Sequence, residues 1–171
     1  VKQAIDMGIP VICANTDDPE GPKGNARLSY IGQNLEQAGY FLAQTAIKNL
    51  PQGEKLHFLV PAEAPGLEWA ESRARGITRC LEEAGYTYER LDSTMQMDVA
   101  QSRIQAYLQS HPETKGVLCV GGIAPTGAAK AVQNLGKKPG EVIICGFDCL
   151  PEMLAEIISG YINFSVDQQP F

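Results

Sequence analysis

The sequence predicts an α/β fold: a doubly wound parallel sheet with helices on both faces. Three observations predict it. Short apolar runs alternate with helical runs of about 10–18 residues, the pattern of successive β-α-β units. Most of the apolar runs are continuous, as strands covered on both faces require. Several helical runs end on a glycine, the residue that closes a helix in the left-handed conformation.

Each element has its own signal. Val1, Ala4 and Ile5 carry helical spacing up to Gly8, and residues 9–14 form a short apolar strand. Residues 17–25 (DDPEGPKGN) are turn formers and read as a loop. A short strand follows at 28–31. Residues 34–50 are helical, with Leu35, Ala38, Gly39, Leu42, Ala46 and Leu50 recurring at three and four, and Pro51-Gln52-Gly53 ends the run. A strand at 56–60 precedes a helix at 67–84, whose Ala70, Ala74, Ile77, Cys80 and Leu81 share one side up to Gly85. Residues 86–91 alternate like a strand. A helix at 98–110 has Asp98 as its expected N-cap and His111-Pro112 as its stop. Strands at 116–120, 142–147 and 161–166 flank helices at 124–135 and 151–159, which close on Gly136 and Gly160. Residues 28–168 read as one unit.

The chain has 171 residues, enough for one domain or one domain plus a fragment. Hydrophobic residues make up 44% and charged residues 20%, which excludes global disorder. No apolar run approaches the roughly 18–20 residues of a membrane span. A net charge of −6 argues against a nucleic-acid binder, and no direct nucleic-acid binding by this segment is expected. The five cysteines are odd in number and widely spaced, a poor disulfide framework. Cys13, Cys119 and Cys145 sit in apolar runs and read as small buried hydrophobes. Cys145 and Cys149 lack the second pair or histidine of a zinc set, so neither metal nor cofactor is expected. The chain opens inside a helix and stops just after a strand-like run, and it reads as a piece of a longer protein.

Ligands of open α/β sheets sit beyond the carboxyl ends of the strands. Those ends are followed here by Asn15, Thr16 and Asp17; by Pro61 to Trp69; by Gly121 and Gly122; by Asp148; and by Asp167, Gln168 and Gln169. Arg73 and Arg75 come close behind. Carboxylates and amides that accept, arginines that donate, and an aromatic face suit a neutral polyhydroxy ligand. Each residue also has a plainer reading. Asn15 and Thr16 are either ligand contacts or turn residues. Trp69, four before Arg73 on one helix face, is either a stacking platform or packing. Arg73 and Arg75 either reach a ligand or pair with Glu71 or Glu82. Asp148 either contacts ligand or caps the helix near Pro151, and Gln168 is either a contact or strand-end surface.

Enzyme chemistry finds no support, and none is expected. Gly122 to Gly127 has the spacing of a phosphate loop, but Ala128 and Ala129 stand where Lys and Ser/Thr are needed. There is no G-x-G-x-x-G, and no nucleophile elbow. The two histidines, His57 and His111, lie at a strand start and a helix end and read as structural.

The order GIPVICANTD, YIGQNLEQAGYFLAQ, ESRARGI, ICGFDCLPEML and INFSVDQQP resembles the type I periplasmic sugar-binding proteins, the ribose- and galactose-binding-like receptors of ABC importers. The resemblance covers nearly the whole chain. It implies a three-layer α/β/α lobe of the flavodoxin-like, Rossmann-like kind, in a protein whose two lobes close over a sugar. On that reading 1–27 are the helix end, strand and hinge segment of a first lobe, 28–168 are the second lobe, and 169–171 exit through a hinge. It implies ligand contacts at Asn15, where the family often has Asp, and at Thr16, where ribose-type members often have Arg. It further implies them at Arg75 as the second arginine of R-x-R-G, at Met97 near a stacking aromatic, at Gly122 where many members have a polar pair with 121, at Asp148 of GFD, and at Gln168 of DQQP. Trp69 has no counterpart in the ribose pattern and could supply the stacking face.

The partners so implied are a sugar or sugar alcohol, the membrane subunits of an ABC permease, and the remaining first lobe. Self-association of the fragment through its exposed cleft face is also expected. The location implied is periplasmic, or extracellular and lipid-anchored. The alternative is the effector domain of a lac-repressor-type regulator, which would be cytoplasmic, or of a membrane sugar sensor.

Overall fold

The computed structural model describes residues 1–48, 50–51 and 54–168. The hinge exit expected at 169–171, and Gln52 and Gly53 of the expected helix stop, lie outside the described residues. The chain divides into two compact units, one of residues 1–34 and one of 35–168.

The smaller unit holds helix α1 (Lys2–Asp6) and the parallel strands β1 (Ile12–Ala14) and β2 (Ser29–Ile31). The sequence reading starts β1 at residue 9. The backbone delays it: the Gly8 and Ile9 amides close α1 onto Ile5 and Ala4, and Pro10 has no amide to give. Residues 28–31 were expected with the following unit, whereas β2 pairs with β1. The loop between them is organised by its acids. Asp17 pairs with Arg27, and Asp18 accepts the Glu20 amide and the Asn25 side-chain amide.

The larger unit contains α2 (Leu35–Ile47), β3 (His57–Ala62), α3 (Glu68–Glu83), β4 (Thr87–Asp92), α4 (Met97–Ser110), β5 (Thr114–Leu118), α5 (Ala124–Asn134), β6 (Ile143–Phe147), α6 (Pro151–Ile158) and β7 (Phe164–Val166). The five strands are all parallel, in the order β4-β3-β5-β6-β7. This is the expected doubly wound, three-layer α/β/α arrangement. Strands that read as continuous apolar runs in fact serve two cores in alternation. Phe58, Val60, Leu118, Val120, Cys145 and Phe147 face one cluster with α2 and α3. Leu59, Val117, Cys119 and Ile144 face the other, with α4, α5 and α6.

Four helices close alike. Gly8, Gly85, Gly136 and Gly160 have φ between +70° and +83°, and each begins a pair of hydrogen bonds back into its helix. At the end of α6 this shortens β7: the Tyr161 and Ile162 amides return to Glu156, so the strand starts at Phe164 rather than 161. Asp98 is not the N-cap of α4; that position is Gln96, and Asp98 lies in the first turn. Cys119 and Cys145 are buried as expected, and Cys13 is half-buried. Both histidines pack on Tyr107: His57 Nε2 lies 2.6 Å from its hydroxyl, and the His111 ring stacks at 4.2 Å.

Helices α2 and α3 meet backbone to backbone. A Cβ on Gly39 would sit 2.1 Å from the Arg73 carbonyl oxygen, and one on Gly76 would sit 1.9 Å from that of Glu36. Neither obstacle is a side chain that can swing aside. Gly39→Ala and Gly76→Ala should each destabilise the unit by about 1–3 kcal/mol, the usual cost of overpacking, read as a lower urea midpoint. An exposed helical glycine replaced by alanine would instead gain stability.

Candidate functional site

The strand order reverses between β3 and β5, because the chain goes from β3 outward to β4 and then back to β5 on the other side. A crevice opens at such a switch point beyond the carboxyl ends. Past the ends of β3 and β5 come Glu63 and the pair Gly121-Gly122, and past those of β6 and β7 come Asp148 and Gln168.

Glu63 is only 5% exposed. Its Oε1 accepts the amides of Ile123 and Ala124, both at 2.7 Å, at the start of α5. Burial pushes its carboxyl above the usual glutamate range, and the nearby Asp148 adds to this. The two amides and Arg73 work the other way. Gly121 leaves room for that carboxylate: a Cβ there would lie 2.3 Å from Glu63 Oε2. Gly122 does the same for Asp148, whose Oδ2 would be 2.9 Å from a Cβ at 122.

Asp148 has φ +73°, a conformation that aspartate tolerates better than most residues. Three contacts with the end of β7 hold it there. Its amide donates to the Val166 carbonyl at 3.0 Å, its carbonyl accepts from Ser165 Oγ, and its Oδ1 accepts from Gln168 Nε2. The cap of α6 is Leu150, not Asp148.

Arg73 crosses from α3 to this end of the sheet. It is 4% exposed, its Nη1 donates to the Val120 carbonyl at 3.0 Å, and its guanidinium carbon lies 3.9 Å above the Phe147 ring. Trp69 is half-buried, packed against the α2–α3 core, with its ring 5.8 Å from the same guanidinium. Trp69 thus packs partly on the core while its ring borders Arg73.

Arg75 is elsewhere. Two residues turn a helix by about 200°, so Arg73 and Arg75 point to opposite sides. The Arg75 side chain is half exposed. Its Nη2 donates to Glu68 at 3.0 Å and to Ser72 at 2.7 Å, and its Nε lies 3.8 Å from Glu36. The expected partners Glu71 and Glu82 are engaged with Arg90 and Tyr88 instead. Met97 begins α4 with its sulfur 3.5 Å from Lys130 Nζ on α5. Asn15 and Thr16 belong to the smaller unit. Asn15 has φ +67°, and its carbonyl accepts from Tyr30 Oη at 2.9 Å; Thr16 turns its amide back to Ala14.

The structure thus brings Gly122, Asp148 and Gln168 together, with Trp69 at Arg73. Glu63 and Arg73 complete the group. Glu63 lay within the span named after its strand, but only the fold shows its carboxylate reaching α5, 60 residues on. For Arg73 the four-residue step from Trp69 was the available signal. Among the described residues, no three His, Cys, Asp or Glu side chains are placed to hold a metal ion.

Known proteins share this architecture. The sequence signature of the family described as "Periplasmic binding protein domain" matches residues 1–171. The chain belongs to that family. It is 30% identical over 180 residues to a xylose/arabinose-binding protein of Sulfolobus acidocaldarius, covering 99% of this chain and 44% of the relative. It is 29% identical to a ribose operon repressor of Halalkalibacterium halodurans over 71% of this chain and 38% of the relative. Among solved structures, a periplasmic sugar binding protein of an ABC sugar transporter from Legionella pneumophila superposes with a TM-score of 0.84 at 28% identity, covering 98% of this chain and 61% of that one. The chain spans about half the length or less of these curated relatives. The family is one of substrate-binding proteins.

The raised Glu63 carboxyl has a thermodynamic consequence. The folded state holds its proton to higher pH than the unfolded chain does. Its contribution to stability is therefore fullest below the ordinary glutamate range and declines as pH rises through the raised value. Glu63→Gln should flatten that decline, measured as urea midpoints of wild type and variant between pH 4 and 8.

Proposed function

We propose that the protein carrying this chain captures a sugar or sugar alcohol and delivers it to an ABC permease, without catalysis. In this reading the larger unit, 35–168, forms most of its second lobe, the smaller unit belongs to the first, and the remaining first lobe closes over the ligand. The observation that carries the reading is the convergence of Glu63, Arg73, Asp148 and Gln168 on the switch point of the sheet. Carboxylates and a side-chain amide accept from ligand hydroxyls, the guanidinium donates, and Trp69 offers a face for the sugar's C–H surface. Asn15 and Thr16 are proposed as contacts from the first-lobe segment.

A periplasmic location, or an extracellular one with a lipid anchor, goes with this function. Among the described residues no helix is long and apolar enough to cross a membrane. The similarity to a repressor supports the regulator alternative over 71% of the chain, whereas that to the xylose/arabinose-binding protein runs over 99%. We follow the longer match.

Calorimetric titration of the full-length protein with pentoses, hexoses and polyols tests the reading. One or two of them should bind at about micromolar affinity or better. No binding across the panel would remove the sugar assignment. A DNA-binding region upstream would favour the regulator.

The two arginines separate cleanly. Arg73→Lys keeps the charge but loses the planar fork, and should weaken sugar binding about tenfold or more. Arg75→Ala removes only exposed pairs and should leave affinity within about threefold. The reverse order of effects would return the clamp to Arg75.

A further inference from the structure

The first amides of a helix have no partner within it and, with the helix dipole, draw anions. At α5, an eleven-residue helix, the chain fills that place itself: Glu63 Oε1 takes the Ile123 and Ala124 amides. Among the described residues Glu63 Oε2 has no hydrogen-bond partner. It lies against Gly121, in a residue 95% buried, at the strand end where the sheet opens. Asp148 approaches the same backbone from the β6 side, against Gly122. Two carboxylates therefore flank Gly121-Gly122. Arg73 is the cation that acts on Glu63, and it is committed to the Val120 carbonyl and the Phe147 ring.

We infer that Glu63 is a specificity-determining residue that admits neutral polyhydroxy ligands and turns away sugar acids and sugar phosphates. The inference rests on the sugar-receptor reading for its ligand class. A hydroxyl can donate to Oε2 or to Asp148. An anionic substituent at the same place meets Asp148 and, above the raised titration of Glu63, a second like charge, and finds the α5 amides already occupied. The rejection is built from a charge repelled and a donor pair withheld, both supplied by one side chain.

The test uses the full-length protein and two variants. Glu63→Gln keeps an acceptor for the amides but removes the charge; Glu63→Ala empties the cradle. Calorimetry compares D-glucose with D-glucuronate, D-galactose with D-galacturonate, and D-ribose with D-ribose 5-phosphate. Amide NMR follows Ile123 and Ala124 during titration with inorganic phosphate. Wild type should prefer the neutral member of whichever pair it binds, and show no phosphate response at the two amides. Glu63→Gln should cut that preference about tenfold or more, the effect of removing one like charge in a partly solvated crevice. Glu63→Ala should give saturable phosphate shifts at both amides. A wild-type preference for the acidic sugar overturns the inference. So do two folded variants with unchanged preference and no phosphate response, and if wild type still binds the neutral sugar, the receptor reading survives. Phosphate binding to Glu63→Ala without any sugar binding by wild type would keep the cradle role and discard the sugar reading.

Discussion

A parallel strand covered by helices on both faces has no side on which to place a polar group. That constraint orders the larger unit. Along β3, β5 and β6 the buried apolar side chains are shared out between the two cores, so chemistry is displaced to where each strand stops. Just beyond the strands come Glu63 after β3, Gly121-Gly122 a few residues after β5, Asp148 after β6, and Gln168 after β7. Arg73 arrives from a helix on one face and Glu63 reaches a helix on the other. The crevice is thereby stitched to both outer layers of the fold.

The same economy ties the site's acids to the surrounding elements by hydrogen bonds. Asp148 is fixed by its left-handed backbone and by three contacts to the end of β7, and Glu63 by two amides. Groups held in place beforehand lose little freedom on binding, so more of their interaction energy appears as affinity. Their orientation comes from neighbouring strands and helices rather than from mobile loops.

Element order was legible in the sequence because it rests on local physics: apolar runs, helical spacing and closing glycines. The rule that ligands sit beyond strand ends singled out Asp148, Gln168 and the Gly121-Gly122 pair, which the fold brings together. What escaped was set by angle and by distance. Arg73 and Arg75 differ by two letters, and a motif read as R-x-R-G gives no reason to favour the first. The turn of α3 does, sending Arg73 inward with Trp69 and leaving Arg75 among surface acids. Glu63 is an acid after a strand in the sequence, and its burial depends on amides that the chain supplies only at 123 and 124. Strand starts were misplaced where backbone amides were spent on helix caps, as at Ile9, Tyr161 and Ile162.

Gly121 has no functional group, yet it governs one. A methyl group there would collide with the tip of the Glu63 side chain rather than with backbone, so relief would come from breaking that side chain's two hydrogen bonds. The fold would survive, and the carboxylate would be evicted from its two amides. Residues 63 and 121 thus form a single heritable unit: changing the glycine edits the acid without touching its codon. A comparison that scores glycine to alanine as a mild exchange would miss a rewired crevice. In this chain the setting of the acid is therefore fixed by positions 63 and 121 together.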